Sequence, residues 1–102
     1  MSIEEKCRKL AEFIALSWPH YDEILSKGFD PFTNPVDWMA VMKKVAEQDV
    51  PFAKRWIMIC DQLYDAWCWP IRLLSMIQED KLFSVTMNAA GQAAGLWEAE
   101  NE

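Results

Sequence analysis

Apolar positions recur at steps of three and four over most of the chain, the period of helices that bury one face. Ile3, Cys7, Leu10 and Ile14 form the first such stripe. Ser2-Ile-Glu-Glu5 has the form of a capping box, in which the serine hydroxyl and the Glu5 carboxylate satisfy free amides reciprocally. Glu4–Arg8 and Glu5–Lys9 add acid-before-base pairs one turn apart. Pro19 ends or kinks this helix near Trp18. A short second helix from about His20 to Lys27 would then stop at Gly28, a residue suited to a left-handed cap.

The segment Phe29-Asp-Pro-Phe-Thr-Asn-Pro35 is rich in turn formers, with Asn34 placed to cap a helix and Pro35 to open it. Trp38, Val41, Met42 and Val45 mark its buried stripe, and its end is expected near Asp49, ahead of Pro51. From Phe52 the apolar positions 52, 56, 59, 60, 63 and 67 keep helical spacing, although Trp56-Ile-Met-Ile-Cys60 also fits a buried strand. Pro70 can open another helix to about Asp80. Phe83 to Met87 alternates like a half-buried strand, and Asn88 can cap a last, alanine-rich helix leading into the acidic tail Glu98–Glu102. The pattern predicts a single domain over residues 1–102, compact and mainly α-helical, with about five helices. A small α+β sandwich with strands near 55–60 and 82–87 is the alternative.

Charge narrows the function. Sixteen acids against ten bases give a net charge of −6 in 102 residues. A field of that sign repels phosphate backbones and anionic lipid, so direct contact with nucleic acid or membrane is disfavoured and a basic protein surface is attracted. The acidic start Met-Ser-Ile-Glu-Glu is unlike a secretory leader, and no apolar run approaches the length of a membrane span. Three cysteines, an odd number without paired spacing, suit a reducing compartment, so a cytoplasmic location is expected. Six tryptophans are many for a domain of this size, and part of that aromatic area is expected to face a partner.

Candidate chemistry is sparse. Cys7, Cys60, Cys68 and the single His20 lack the close pairing of a zinc site, and the cysteines read as buried hydrophobes. No glycine-flanked serine or phosphate-cradling loop is present, so no catalytic residue, metal or cofactor is expected. Asp61 and Asp65, four apart, share a helix face that is first read as solvated, then as a contact for a basic partner, and last as a carboxylate pair for acid–base work or a divalent cation. Trp67 and Trp69 flank Cys68 ahead of Pro70. On a regular helix they would point about 200° apart. They therefore mark either a packed corner or an aromatic anchor for a partner. Gly91 and Gly95, set among alanines, would let a neighbouring helix approach, with internal docking the first reading and self-association the second.

Phe29-Asp-Pro-Phe-Thr-Asn-Pro-Val-Asp37, the preceding Lys9-Leu-Ala-Glu12 and the alanine-rich segment Ala89–Trp97 together resemble small phage proteins of the ABA-sandwich type. The resemblance covers about half the chain. It implies a phage setting and, if the family fold held, strands at Trp56–Cys60 and Leu82–Met87; it carries no catalytic residues.

The expected function is therefore that of a non-enzymatic acidic protein that occupies and inhibits a host protein with a basic surface. A nucleic-acid-binding or defence protein is the natural target class. Trp67, Trp69, Asp61, Asp65, Glu98 and Glu100 are the candidate contact residues. A homo-oligomeric scaffold, as small as a homodimer, and a small-molecule binder are the alternatives.

Overall fold

Asn34 caps the helix it was expected to cap. Its side-chain oxygen accepts from the Val36 amide at 2.9 Å, and Pro35 takes the first helical position. The computed structural model describes residues 1–15, 28–64 and 69–99, and among these five helices form and no strand. They are α1 (Ile3–Ala15), α2 (Pro35–Ala46), α3 (Val50–Leu63), α4 (Trp69–Gln78) and α5 (Leu82–Ala93). The radius of gyration, 13.3 Å, is that of a compact globule of this length. At the start of α1 the Glu5 amide donates to the Ser2 hydroxyl, as the capping box predicts.

Three expectations are corrected. α2 ends at Ala46, before Asp49, and Asp49 caps α3 by accepting from the Phe52 amide at 2.9 Å. Pro51 therefore lies in the first turn of α3, where an amide has no intrahelical partner to lose. Residues 55–60 and 82–87, the strands of the alternative sandwich, are helical. Asn88 lies inside α5 and caps nothing; its side-chain oxygen accepts from the Lys6 ammonium at 2.7 Å, and its amide donates to the Ser84 carbonyl. The expected second helix, His20–Lys27, falls outside the described residues, but Gly28 does take the left-handed conformation, at φ +79°.

α5 is the centre of the arrangement. Each of the other four helices packs against it, α3 most extensively. Val85, Thr86, Met87, Ala89, Ala90, Gly91 and Ala93 are all buried, so α5 is enclosed around most of its circumference. Its small side chains let neighbouring backbones come close. Leu10, Ala11 and Ile14 of α1, Val41 and Val45 of α2 and Phe52 of α3 complete the larger core cluster. Two indoles converge on one residue of α5: Trp38 Nε1 donates to Thr86 Oγ1 at 2.8 Å, and Trp56 Nε1 donates to the Thr86 carbonyl at 3.2 Å.

α4 and α5 end alike. After α5, the Leu96 amide donates to the Gly91 carbonyl and the Gly95 amide to Gln92, with Gly95 at φ +72°. This is a Schellman motif. After α4, Lys81 donates to Met76 and Asp80 to Ile77 in the same pattern, with Asp80 rather than glycine at φ +57°. A side chain there crowds its own carbonyl. Asp80→Gly is therefore expected to stabilise the protein by roughly 0.5–1 kcal/mol, the relief outweighing glycine's added unfolded-state freedom. A thermal melt reads this as a rise in Tm, and an unchanged or lower Tm would mean that the Asp80 conformation costs little.

Candidate functional site

α4 reads Trp69-Pro-Ile-Arg-Leu-Leu-Ser-Met-Ile-Gln78, with a single charged residue. Arg72 and Met76, one turn apart, are its buried positions. Met76 packs with Cys60, Val85 and Ala89 in a second, smaller core cluster. The Arg72 guanidinium forms an ion pair with the Asp61 carboxylate of α3. Beyond the end of α3, the Tyr64 phenol donates to the Glu79 carboxylate, which raises the phenol's pKa. The Lys81 ammonium lies 5.8 Å from the Tyr64 ring centroid.

With that face turned inward, Ile71, Leu73, Leu74 and Ile77 point outward and are between 41% and 63% exposed. Among the described helices, only α5 comes close to α4 along its backbone. The result is an uncharged aliphatic face in a chain of net charge −6, bordered at its C-terminal end by the exposed Glu79 and Asp80. A helix that is apolar all round is normally enclosed; this one is enclosed on one side.

Two other features have less to offer. Val36 and Met39 of α2 are exposed and, with Pro35, Ala40 and Lys43, line a shallow groove of about 290 Å³. Ile3, Glu4, Cys7, Arg8, Gly28, Phe29 and Asp30 line an open cleft of about 380 Å³. In that cleft Asp30 builds the connector. It accepts from the Phe32 amide and the Thr33 hydroxyl, and its own amide donates to Asp37. The Asp-Pro-x-x-Asn-Pro-x-Asp pattern behind the phage resemblance is thus spent on local structure.

The Cys7 and Cys60 thiols are unsuited to nucleophilic work. Burial, reinforced by the Asp30 carboxylate to which Cys7 donates, pushes the Cys7 thiol up to about 12. Burial and the Asp61 charge push Cys60 up to about 12 as well. Both thiols should therefore resist maleimide at pH 8 until the protein unfolds, a difference that peptide mapping reads directly. Fast labelling of either one in the folded state would contradict this packing. Because the folded protein holds these protons more tightly than the unfolded chain, their contribution to stability is complete below pH 9 and is lost as the pH rises from 9.0 toward about 12. Among the described residues no group of three His, Cys, Asp or Glu side chains could hold a metal ion, and no helix is long and apolar enough to cross a membrane.

Of the contact residues expected from sequence, Asp61 is half-exposed but engaged by Arg72, and Glu98 is exposed beyond α5. Asp65, Trp67, Glu100 and the Trp69 side chain lie outside the described residues. α3 ends at Leu63 and α4 begins at Trp69, so the helical stripe expected to reach position 67 stops short of it. Trp38 and Trp56 are half-buried and Trp97 is buried, so these three indoles are packed within the protein. The residues that sequence reasoning passed over are Ile71, Leu73, Leu74 and Ile77. Their signal was present: a ten-residue helix with one charge. No family model, curated protein or solved structure matches the chain.

Proposed function

We propose that this chain is a non-enzymatic binding protein, which acts by presenting a surface to other proteins. The observation that carries the reading is the acidic balance of the chain, sixteen acids against ten bases. The outward aliphatic face of α4 is a separate mark of protein contact, since an exposed apolar patch rimmed by polar residues marks a contact site. Around it the net charge of −6 favours approach by a basic protein surface and disfavours nucleic acid and anionic membrane. A cytoplasmic protein that occupies and blocks a basic host protein fits these properties. The test is a tagged pull-down from a lysate of the native host, washed at low and then high salt. One stoichiometric basic partner, released by high salt, is the expected result; a clean blank would overturn the charge-steered partner.

A further inference from the structure

We infer that the α4 face is the contact between two copies of this chain, paired antiparallel about a two-fold axis through Leu74. This deepens the reading above by naming what covers that face; a basic partner then meets the carboxylates outside it. Leu74 is the most exposed of the four aliphatic side chains, at 63%, and Ile71 and Ile77 flank it at three residues on either side. A two-fold axis at Leu74 therefore places Leu74 on its own copy and Ile71 on Ile77, the self-complementarity that an isologous interface requires.

Charge selects the same orientation. The first turn of α4 has no acidic residue to complement its dipole, and its last turn has no basic one. Glu79 and Asp80 instead follow the C-terminal end, where their charge opposes the helix's own dipole. Antiparallel pairing brings these two carboxylates beside the second copy's α4 N-terminus, where negative charge is favourable, once at each end. The face itself carries no charge, so two chains of net charge −6 can meet there without bringing like charges into the centre of the contact. Four aliphatic side chains and their rims from each copy bury on the order of 1,000 Å² in all, near the lower bound for a specific interface. The dimer is therefore a reversible one.

Sedimentation equilibrium of the full chain over a range of concentrations, at low and high salt, tests this. The expected mass rises from 11.9 kDa toward twice that value with concentration, and more readily at high salt, where the repulsion between chains is screened. Leu74→Glu should hold the protein at 11.9 kDa with its circular dichroism unchanged. Ile77→Lys serves the same end if Leu74→Glu fails to fold. Met39→Glu, on the exposed face of α2, should leave the dimer intact. A wild-type mass of 11.9 kDa throughout would overturn the inference, as would a dimer that Met39→Glu abolishes and Leu74→Glu spares. The two readings fail separately, because the basic partner is lost in high salt and the self-contact is strengthened by it.

Discussion

Gly91→Ala is expected to destabilise the protein by about 2–4 kcal/mol, although alanine is the better helix former by roughly 1 kcal/mol. A Cβ at position 91 would lie 2.0 to 2.4 Å from three ring carbons of Trp97. Beyond the Schellman turn at Gly95, the chain folds back and lays the Trp97 indole on the bare backbone of α5. Lys6 closes the other side, its ammonium 5.4 Å from the ring centroid. A rigid ring has no flexible end to yield, so the methyl group must push the whole indole aside. The penalty is bounded by the cost of releasing a buried tryptophan, about 3–5 kcal/mol. Part of that is offset, because Trp97 Nε1 is buried without a hydrogen-bond partner among the described residues and would regain water.

A Trp97→Ala background isolates the cause. There the clash is gone, and Gly91→Ala should become stabilising by up to about 1 kcal/mol, the propensity gain alone. Chemical denaturation of the four proteins measures both effects. A penalty that persists without the indole would place the clash elsewhere. The small residues of α5 would then serve a neighbouring helix, as their spacing first suggested.

Residues near helix termini were the most legible from sequence, because capping chemistry is local. Asn34 with Pro35, Ser2 with Glu5, and Pro70 near the start of α4 could be read within a few positions. Asp49 was misread because Pro51 looks the same ending one helix as opening the next. α5 was misread for a different reason. An amphipathic stripe shows only where one face meets water, and α5 is buried from Val85 to Ala93 on most of its sides, so its helical period leaves no polar complement. Phe83, Val85 and Met87 then imitate the alternation of a strand.

The candidate site was illegible for the converse reason. Part of the tryptophan area was expected at the surface, at Trp67 and Trp69, whose side chains lie outside the described residues. Trp38, placed in a buried stripe by its spacing, and Trp56 are half-buried, and each brings a hydrogen-bond donor that Thr86 satisfies inside. Apolar residues also stay exposed on α1, α2 and α3, such as Ile3, Met39 and Met58, and the candidate site draws on those of α4, a helix whose composition shows no preferred face. Which side of it stays uncovered depends on α3 and α5, through the Arg72–Asp61 pair and the Met76 contacts, and those are long-range.

Thr86→Val should cost about 1–3 kcal/mol, the price of stranding the Trp38 indole N–H rather than of lost volume. Valine has nearly the shape of threonine, so the core around position 86, which is 3% exposed, stays filled. The Trp56 bond survives, since it uses the Thr86 carbonyl. The change also removes the hydroxyl's own bond to the Leu82 carbonyl, 2.6 Å long; that carbonyl lies in the first turn of α5, where the helix ladder already uses it. Trp38 is further held by stacking on Phe83, with centroids 5.0 Å apart, so it has little freedom to swing its N–H to water. Trp38→Phe removes the donor itself, and in that background Thr86→Val should lose most of its effect. A coupling of about 1 kcal/mol or more in the double-mutant cycle is therefore expected. Additive effects would mean that the indole reaches solvent when its partner is gone, and that Thr86 acts by packing alone.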